Sequence, residues 1–163
     1  MAQDIRELQK LLKRGMKVMP DKLPRIVEGE GLQFISKNFR DQGFNGSGLK
    51  KWKARKTRST GGKDLIRYRT NRVGRKGTLN RYGSKIKERA LLVGHGTGGD
   101  KLKNSFRAKK TEKQVRFITY KAYAQRHNEG EDGMPQRQFM GKSPYLEGQI
   151  KKKLTKELDK LFK

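Results

Sequence analysis

Apolar and polar residues alternate at helical spacing near the N-terminus. Over residues 3–17 the apolar positions recur every three to four residues, and they are Ile5, Leu8, Leu12 and Met16. This spacing predicts an amphipathic helix. Gly15 and Pro20 are expected to end it.

A second helix is expected to follow. Asp21 is a suitable N-cap, Pro24 falls in the first turn, and the apolar pattern continues to about Arg40. Gly29 and Gly31 weaken the start of this helix. Two glycines two residues apart indicate either close packing against another backbone or a break.

The C-terminal residues predict a well-specified amphipathic helix. Ser143 is expected to cap it, Pro144 to occupy the first helical position, and Glu147 to lie near the positive end of the helix dipole. One apolar stripe is formed by Leu146, Ile150, Leu154, Leu158 and Leu161. This stripe is expected to pack on a sheet or on another subunit.

A β-hairpin is predicted in the second half of the chain. Residues 104–108 and 115–120 alternate as strands do, and the polar residues 109–113 supply the turn. Both faces of the second strand carry apolar side chains, which predicts that both are partly covered.

The segment between the hairpin and the last helix is rich in residues with strong local preferences. Residues 123–128 are expected to form one or two helical turns, closed by Asn128 or Gly130. A turn at Pro135 follows, and Phe139 is expected to enter the core.

The middle of the chain is poor in apolar residues. Leu, Ile, Val and Phe account for 34 of the 163 residues, but only 7 of them lie in 41–90. We therefore expect one domain whose core comes from both ends of the chain. Its four expected sections are a helical region (1–41), a basic, glycine-rich extended loop (42–89), a hairpin and core motif (90–141) and a C-terminal helix (142–163).

The charge of the chain is strongly positive. It has 42 basic and 16 acidic residues, a net charge of +26, which attracts polyanions such as nucleic acid or an acidic protein surface. Residues 50–89 hold 16 Lys and Arg and 2 acids, a net charge of +14. Basic residues interleaved with aromatics can hold single strands or phosphates. A solvated insertion is the equally open alternative.

The candidate contacts to DNA or to an acidic partner all lie in this basic section. They are Lys50, Lys51, Trp52, Lys53, Arg55, Lys56, Arg58, Arg67, Arg69, Arg72, Arg75, Lys76 and Arg81.

The sequence offers little support for catalysis. There is no cysteine, and neither His95 nor His127 has metal-ligand spacing to a second donor. The glycines of 94–101 lack the P-loop pattern. No catalytic residue, metal or cofactor is therefore expected, and His127 is expected to be structural, satisfied by backbone hydrogen bonds or by an interface. No apolar run reaches the ~18 residues of a membrane span, and the N-terminus lacks the order of a signal peptide.

Several short motifs occur in a recognisable order over residues 24–56 and 90–163. They are Phe34, Phe39 and Phe44; Trp52-Lys53-Ala54-Arg55-Lys56; Thr97-Gly98 with Leu102 and Ser105; Tyr123-Ala124; His127-Asn128-Glu129-Gly130; and Pro135 with Arg137-Gln138-Phe139-Met140-Gly141. In this order the chain resembles the phage virion morphogenesis (tail completion) family. It departs from the family in a very short spacer between Gly130 and Pro135 and in the basic stretch 57–89.

The resemblance implies a fold, a function and a set of site residues. The fold would be α+β, a small antiparallel sheet packed by helices. The protein would be a non-enzymatic neck component at the head–tail junction, in a homo-oligomeric ring such as a hexamer around the DNA channel. Its location would be the virion, and the host cytoplasm during assembly. The implied assembly and core residues are Tyr123, His127, Asn128, Gly130, Pro135, Arg137, Phe139 and Gly141.

The implied partners are other neck, connector or tail proteins, with nonspecific contact to DNA and no membrane. The alternative from another class is a free-standing, sequence-nonspecific nucleic-acid-binding protein, which the net charge of +26 also fits. Tight, steeply salt-dependent binding by a monomer would indicate that alternative.

Overall fold

The chain has an α+β fold. A computed structural model describes residues 2–54, 60–61, 90–92, 101–111 and 114–160; for residues 2–9 and 11 it describes the backbone alone. The elements in chain order are α1 (Ala2–Asp41), β1 (Gly43–Asn45), β2 (Leu49–Lys51), a short 3-10 helix (Leu102–Asn104), β3 (Phe106–Lys110), β4 (Val115–Thr119), α2 (Ala124–Glu129) and α3 (Pro144–Asp159).

The N-terminal region is one helix and not the two that the sequence predicts. Pro20 and Pro24 lie inside α1, so Asp21 is not an N-cap. Each proline removes one backbone donor, at a cost of about 3 kcal/mol, but its φ still suits a helix. From Lys22 onward, packing on α3 stabilises the helix and outweighs the local signal of Pro24.

Gly29 and Gly31 do not break the helix. A Cβ at Gly31 would collide with the ring of Phe117 on β4, whereas a Cβ at Gly29 would meet open space. Gly31 therefore allows close packing against a side chain, and not against a second backbone. The contact holds the β3–β4 hairpin on α1, together with a 2.7 Å ion pair between Lys110 and Glu28.

Helix α3 packs antiparallel on the second half of α1. Lys22 pairs with Glu157 at 2.5 Å, and Glu30 pairs with Lys153. The residue numbers thus rise along α1 while they fall along α3, as they do in antiparallel helices. The described residues of the apolar stripe, which are Leu146, Ile150, Leu154 and Leu158, are half-buried. The described partner is thus a helix, where the sequence predicted a sheet or another subunit.

The described strands form two separate antiparallel pairs. In β3–β4, Phe106 is opposite Thr119 and Lys110 is opposite Val115. This confirms the predicted hairpin, although its first strand begins later because the 3-10 helix uses residues 102–104. The β1–β2 pair, from Gly43 to Lys51, falls in the section that the sequence assigned to a loop.

The core is aromatic and joins distant parts of the chain. The ring of Phe139 lies 5.3 Å from both Phe39 and Phe106, and Phe39 lies 5.4 Å from Trp52. Phe139 is 1% exposed, which confirms that it enters the core. Leu102 completes this cluster from the 3-10 helix.

Candidate functional site

The segment 123–141 forms a rigid corner between β4 and α3. Helix α2 ends at Gly130, whose φ of 79° lies in the left-handed region. A Cβ there would meet the backbone of Gln136 at 3.0 Å. Glycine therefore suits this position both in conformation and in space, and Gly130, not Asn128, closes the helix.

Asn128 holds the two halves of the corner together. Its side-chain oxygen accepts hydrogen bonds from the backbone N–H groups of Phe139, at 3.0 Å, and Met140, at 2.9 Å. These bonds fix the backbone where Phe139 turns into the core. The role of Asn128 is thus to order the chain.

Asn38 joins this corner to α1 and β1. It is fully buried, and its side-chain nitrogen donates to the carbonyl of Phe139 at 3.1 Å. Its side-chain oxygen accepts from the backbone N–H of Asn45 at 2.9 Å. Sequence reasoning missed Asn38. The available signal was a polar residue between Ile35 and Phe39 on the apolar face of a predicted helix.

Arg137 and Trp52 tie the corner to the strand β2 and the residues that follow it. The guanidinium of Arg137 is buried and donates to the carbonyl of Lys53 at 3.2 Å. The indole N–H of Trp52 donates to the carbonyl of Gln138 at 2.7 Å. Trp52 is 8% exposed, so its ring cannot stack on a nucleic acid base, and its assignment as a contact residue is wrong.

His127 lies half-buried beside this network. Burial, and then the positive charge of Arg137, lower the pKa of its imidazole below the ordinary 6.5, because both disfavour the charged form. Its carbonyl accepts from the backbone N–H of Arg137 at 2.7 Å. Its buried Nδ1 has no hydrogen-bond partner in the part of the chain that the structure describes. The hypothesis that backbone hydrogen bonds or an interface satisfy the ring therefore stays a prediction for Nδ1.

The remaining motif residues lie around the rim of the corner. Tyr123 is exposed and meets the ring of His127 edge-on at 5.9 Å. Pro135 is half-buried and follows the turn from Glu131 to Met134. Gly141 has a φ of 147°, and a Cβ there would collide with the side chain of Gln138.

The structure describes only some of the basic residues that the sequence proposes as contacts. Lys50, Lys51 and Lys53 are exposed, and Lys51 donates to the carbonyl of Asp41 at 2.7 Å. The others lie outside the described residues, and they are Arg55, Lys56, Arg58, Arg67, Arg69, Arg72, Arg75, Lys76 and Arg81.

The corner has the chemistry of a structural joint. The side chains of Asn38, Asn128 and Arg137 are engaged in bonds within the chain. Across 2–54, 60–61, 90–92, 101–111 and 114–160 there is no cluster of three or more potential metal ligands. Within these same ranges, no helix has both the length and the apolar character needed to cross a bilayer.

Comparison of the chain with protein-family models, curated proteins and solved structures found no significant match.

Proposed function

We propose that the protein is a structural virion protein of a tailed phage or prophage. It acts as a tail completion or neck component at the head–tail junction and assembles as a ring around the DNA channel. The order of motifs that resembles the tail completion family supports this role. A corner whose polar side chains hold the chain together, with Tyr123 exposed on its rim, is also what an assembly protein requires.

One observation carries the proposal: α1 continues for many residues before its first described bond to another element. Its 40 residues span about 60 Å at 1.5 Å per residue. Among the described side chains, the ion pairs and hydrogen bonds from α1 to other elements begin at Lys22, which pairs with Glu157 near the end of α3. Residues 2–21, roughly 30 Å of helix, extend beyond that point, and we call them the helical arm.

The helical arm exposes apolar side chains. Leu12 is 52% exposed and Met16 is 76% exposed, one helical turn apart on one face. In proteins, most of the stability of a helix comes from packing its apolar face against a partner. The arm therefore supports a protein that reaches a neighbouring subunit, as a ring of identical chains requires.

The experiment tests whether the apolar face of the arm drives assembly. The double variant Leu12→Asp/Met16→Asp is compared with Lys13→Gln/Lys17→Gln, which lowers the net charge equally at exposed arm positions. Analytical ultracentrifugation and negative-stain images should show a concentration-dependent ring for the wild type and the lysine variant. The Leu12/Met16 variant should stay monomeric. A wild type that is monomeric at every concentration would contradict the proposal.

The location in the virion needs a separate test. Deleting the gene from the phage or prophage should leave filled heads and free tails that do not join, and the wild-type gene should restore joining. Normal particles from the deletion strain would exclude a neck role, even if the purified chain forms a ring.

The second candidate is a free-standing nucleic-acid-binding protein. The net charge of +26 and the exposed Lys50, Lys51 and Lys53 favour it. It predicts a monomer that binds DNA tightly with a steep dependence on salt. The ring protein predicts weaker binding per chain and assembly without DNA.

A further inference from the structure

Among the described residues, five of the seven that line a groove between α1 and α3 are cations. Its volume is about 480 Å³. The lining residues are Lys22, Arg25, Ile26, Lys153, Lys156, Glu157 and Lys160, and we call it the α1–α3 groove. Five cations and one carboxylate give these described lining residues a net charge of +4. None of these residues belongs to the basic section 50–89 that the sequence singled out.

The cations lie in two rows on opposite sides of the groove. Lys153, Lys156 and Lys160 are three to four residues apart and share one side of α3, while Lys22 and Arg25 share one side of α1. Because the helices are antiparallel neighbours, the two rows face the same channel. An extended anion in this channel would meet positive charge on both sides.

Two carboxylates pair with lysines of the groove: Glu30 of α1 holds Lys153, and Glu157 of the lining holds a cation on each side. Glu157 accepts from Lys22 at 2.5 Å and from Lys160 at 2.6 Å, so one anion joins the rows across the groove. Hydrogen bonds from Lys160 and then Lys22 lower the pKa of Glu157 to about 2, so this carboxylate stays ionised in mildly acidic solution as well as at neutral pH. Arg25 and Lys156 are exposed, and no ion pair involves either of them among the described residues.

We propose that the α1–α3 groove binds the phosphate backbone of double-stranded DNA without reading its sequence. None of the seven described lining residues is an Asn, Gln, Ser or Thr that could recognise base edges, and none is an aromatic residue that could stack on unpaired bases. Ile26 is the one apolar residue among these seven, whereas a bound peptide normally uses several apolar anchors. The inference stands on the groove itself and does not depend on a virion role.

The test compares two double variants of the full chain that lose equal charge. Arg25→Gln/Lys156→Gln removes the two cations of the groove that have no described ion pair, so the fold should be kept. Lys103→Gln/Lys109→Gln removes two exposed lysines at the β3 end of the domain. Fluorescence anisotropy with a labelled random-sequence duplex of about 20 base pairs, which spans about two helical turns, measures the affinity.

The groove variant should bind the duplex at least about tenfold more weakly at 0.1 M salt, and its log–log salt slope should be smaller by about 2. The Lys103→Gln/Lys109→Gln variant should keep both its affinity and its salt slope close to those of the wild type. Equal losses in the two variants would overturn the proposal, because binding would then follow the net charge alone.

Two further measurements keep the proposal falsifiable. Acetylation of lysines in the wild-type chain should be suppressed by the duplex at Lys153, Lys156 and Lys160 but not at Lys103 or Lys109; uniform protection would count against the groove. A poly-glutamate peptide provides the other arm. If the groove variant loses peptide binding and keeps DNA binding, the site serves an acidic protein and the proposal is wrong.

Discussion

The side-chain amide of Asn38 donates a 3.1 Å hydrogen bond to the backbone carbonyl of Phe139, 101 residues later in the chain. Asn38 also bonds the backbone and side chain of Asn45, so one buried amide joins α1, β1 and the corner. Buried polar groups of this kind stabilise a fold only while every partner is present.

Asn38→Ala should therefore lower the free energy of unfolding by about 2–3 kcal/mol, since it leaves the carbonyl of Phe139 and the N–H of Asn45 unpaired. Urea denaturation measures the effect. Asn104→Ala, at an exposed position, is the control and should change stability by less than about 0.5 kcal/mol. A similar loss in both variants would show that the buried bonds contribute little.

The two glycines of α1 should respond to alanine with opposite signs. Gly29→Ala meets open space and should stabilise the protein by up to about 1 kcal/mol through helix propensity. Gly31→Ala pushes a methyl group into the ring of Phe117 and should destabilise by about 1–3 kcal/mol. Thermal unfolding of the two variants compares them directly. Stabilisation by Gly31→Ala would mean that the hairpin does not pack closely on α1.

His127 should make the stability of the fold depend on pH. The pKa of its imidazole is lowered in the folded chain, so the folded state disfavours protonation. The stabilisation is fully present at pH values above the pKa of histidine in the unfolded chain, about 6.5. It is lost as the pH falls below that pKa. The urea concentration at the midpoint of unfolding should therefore decrease as the pH is lowered from 7.5 to 5.5.

Alanine substitutions at the two histidines of the chain test this pH dependence. His127→Ala should remove the pH dependence in this window, whereas His95→Ala should keep it. If the dependence persists without His127, another group is responsible.

Ser143 has two roles that one substitution removes together. Its hydroxyl accepts from the backbone N–H of Leu146 at 3.1 Å, which caps α3, and donates to the carbonyl of Asn45 at 2.6 Å. Ser143→Ala should cost about 1–3 kcal/mol in unfolding free energy. Ser47→Ala, on the exposed bend after β1, should cost less than about 0.5 kcal/mol. A loss at Ser143 no larger than that would contradict both roles.

The features that the sequence predicts correctly are those with local causes. Ser143 and Pro144 begin α3 because a cap and a first-turn proline act within four residues. Gly130 ends α2, and the alternation around Phe117 gives a strand, for similarly local reasons. These local signals act independently of the tertiary contacts of the chain.

The features that the sequence missed depend on distant partners. Pro20 and Asp21 predict a helix end and a new start, but α1 runs through both, and from Lys22 onward it packs on α3, more than 120 residues later. Trp52 looked like a surface aromatic in a basic loop because its partners, Phe39 and Gln138, are brought to it only by the fold. Asn38 and the α1–α3 groove likewise arise only when two separated segments meet.

The long-range bond between Asn38 and Phe139 also sets the order in which the protein can form during synthesis. The face of α1 that becomes buried can pack only after residues 102–146 have been synthesised. Roughly 100 residues must therefore be added after the helix itself has been made. At about 5–20 residues per second this takes about 5–20 s. During that time the first 41 residues can form only an amphipathic helix without its core, so a chaperone or a second nascent chain has its earliest opportunity to bind there.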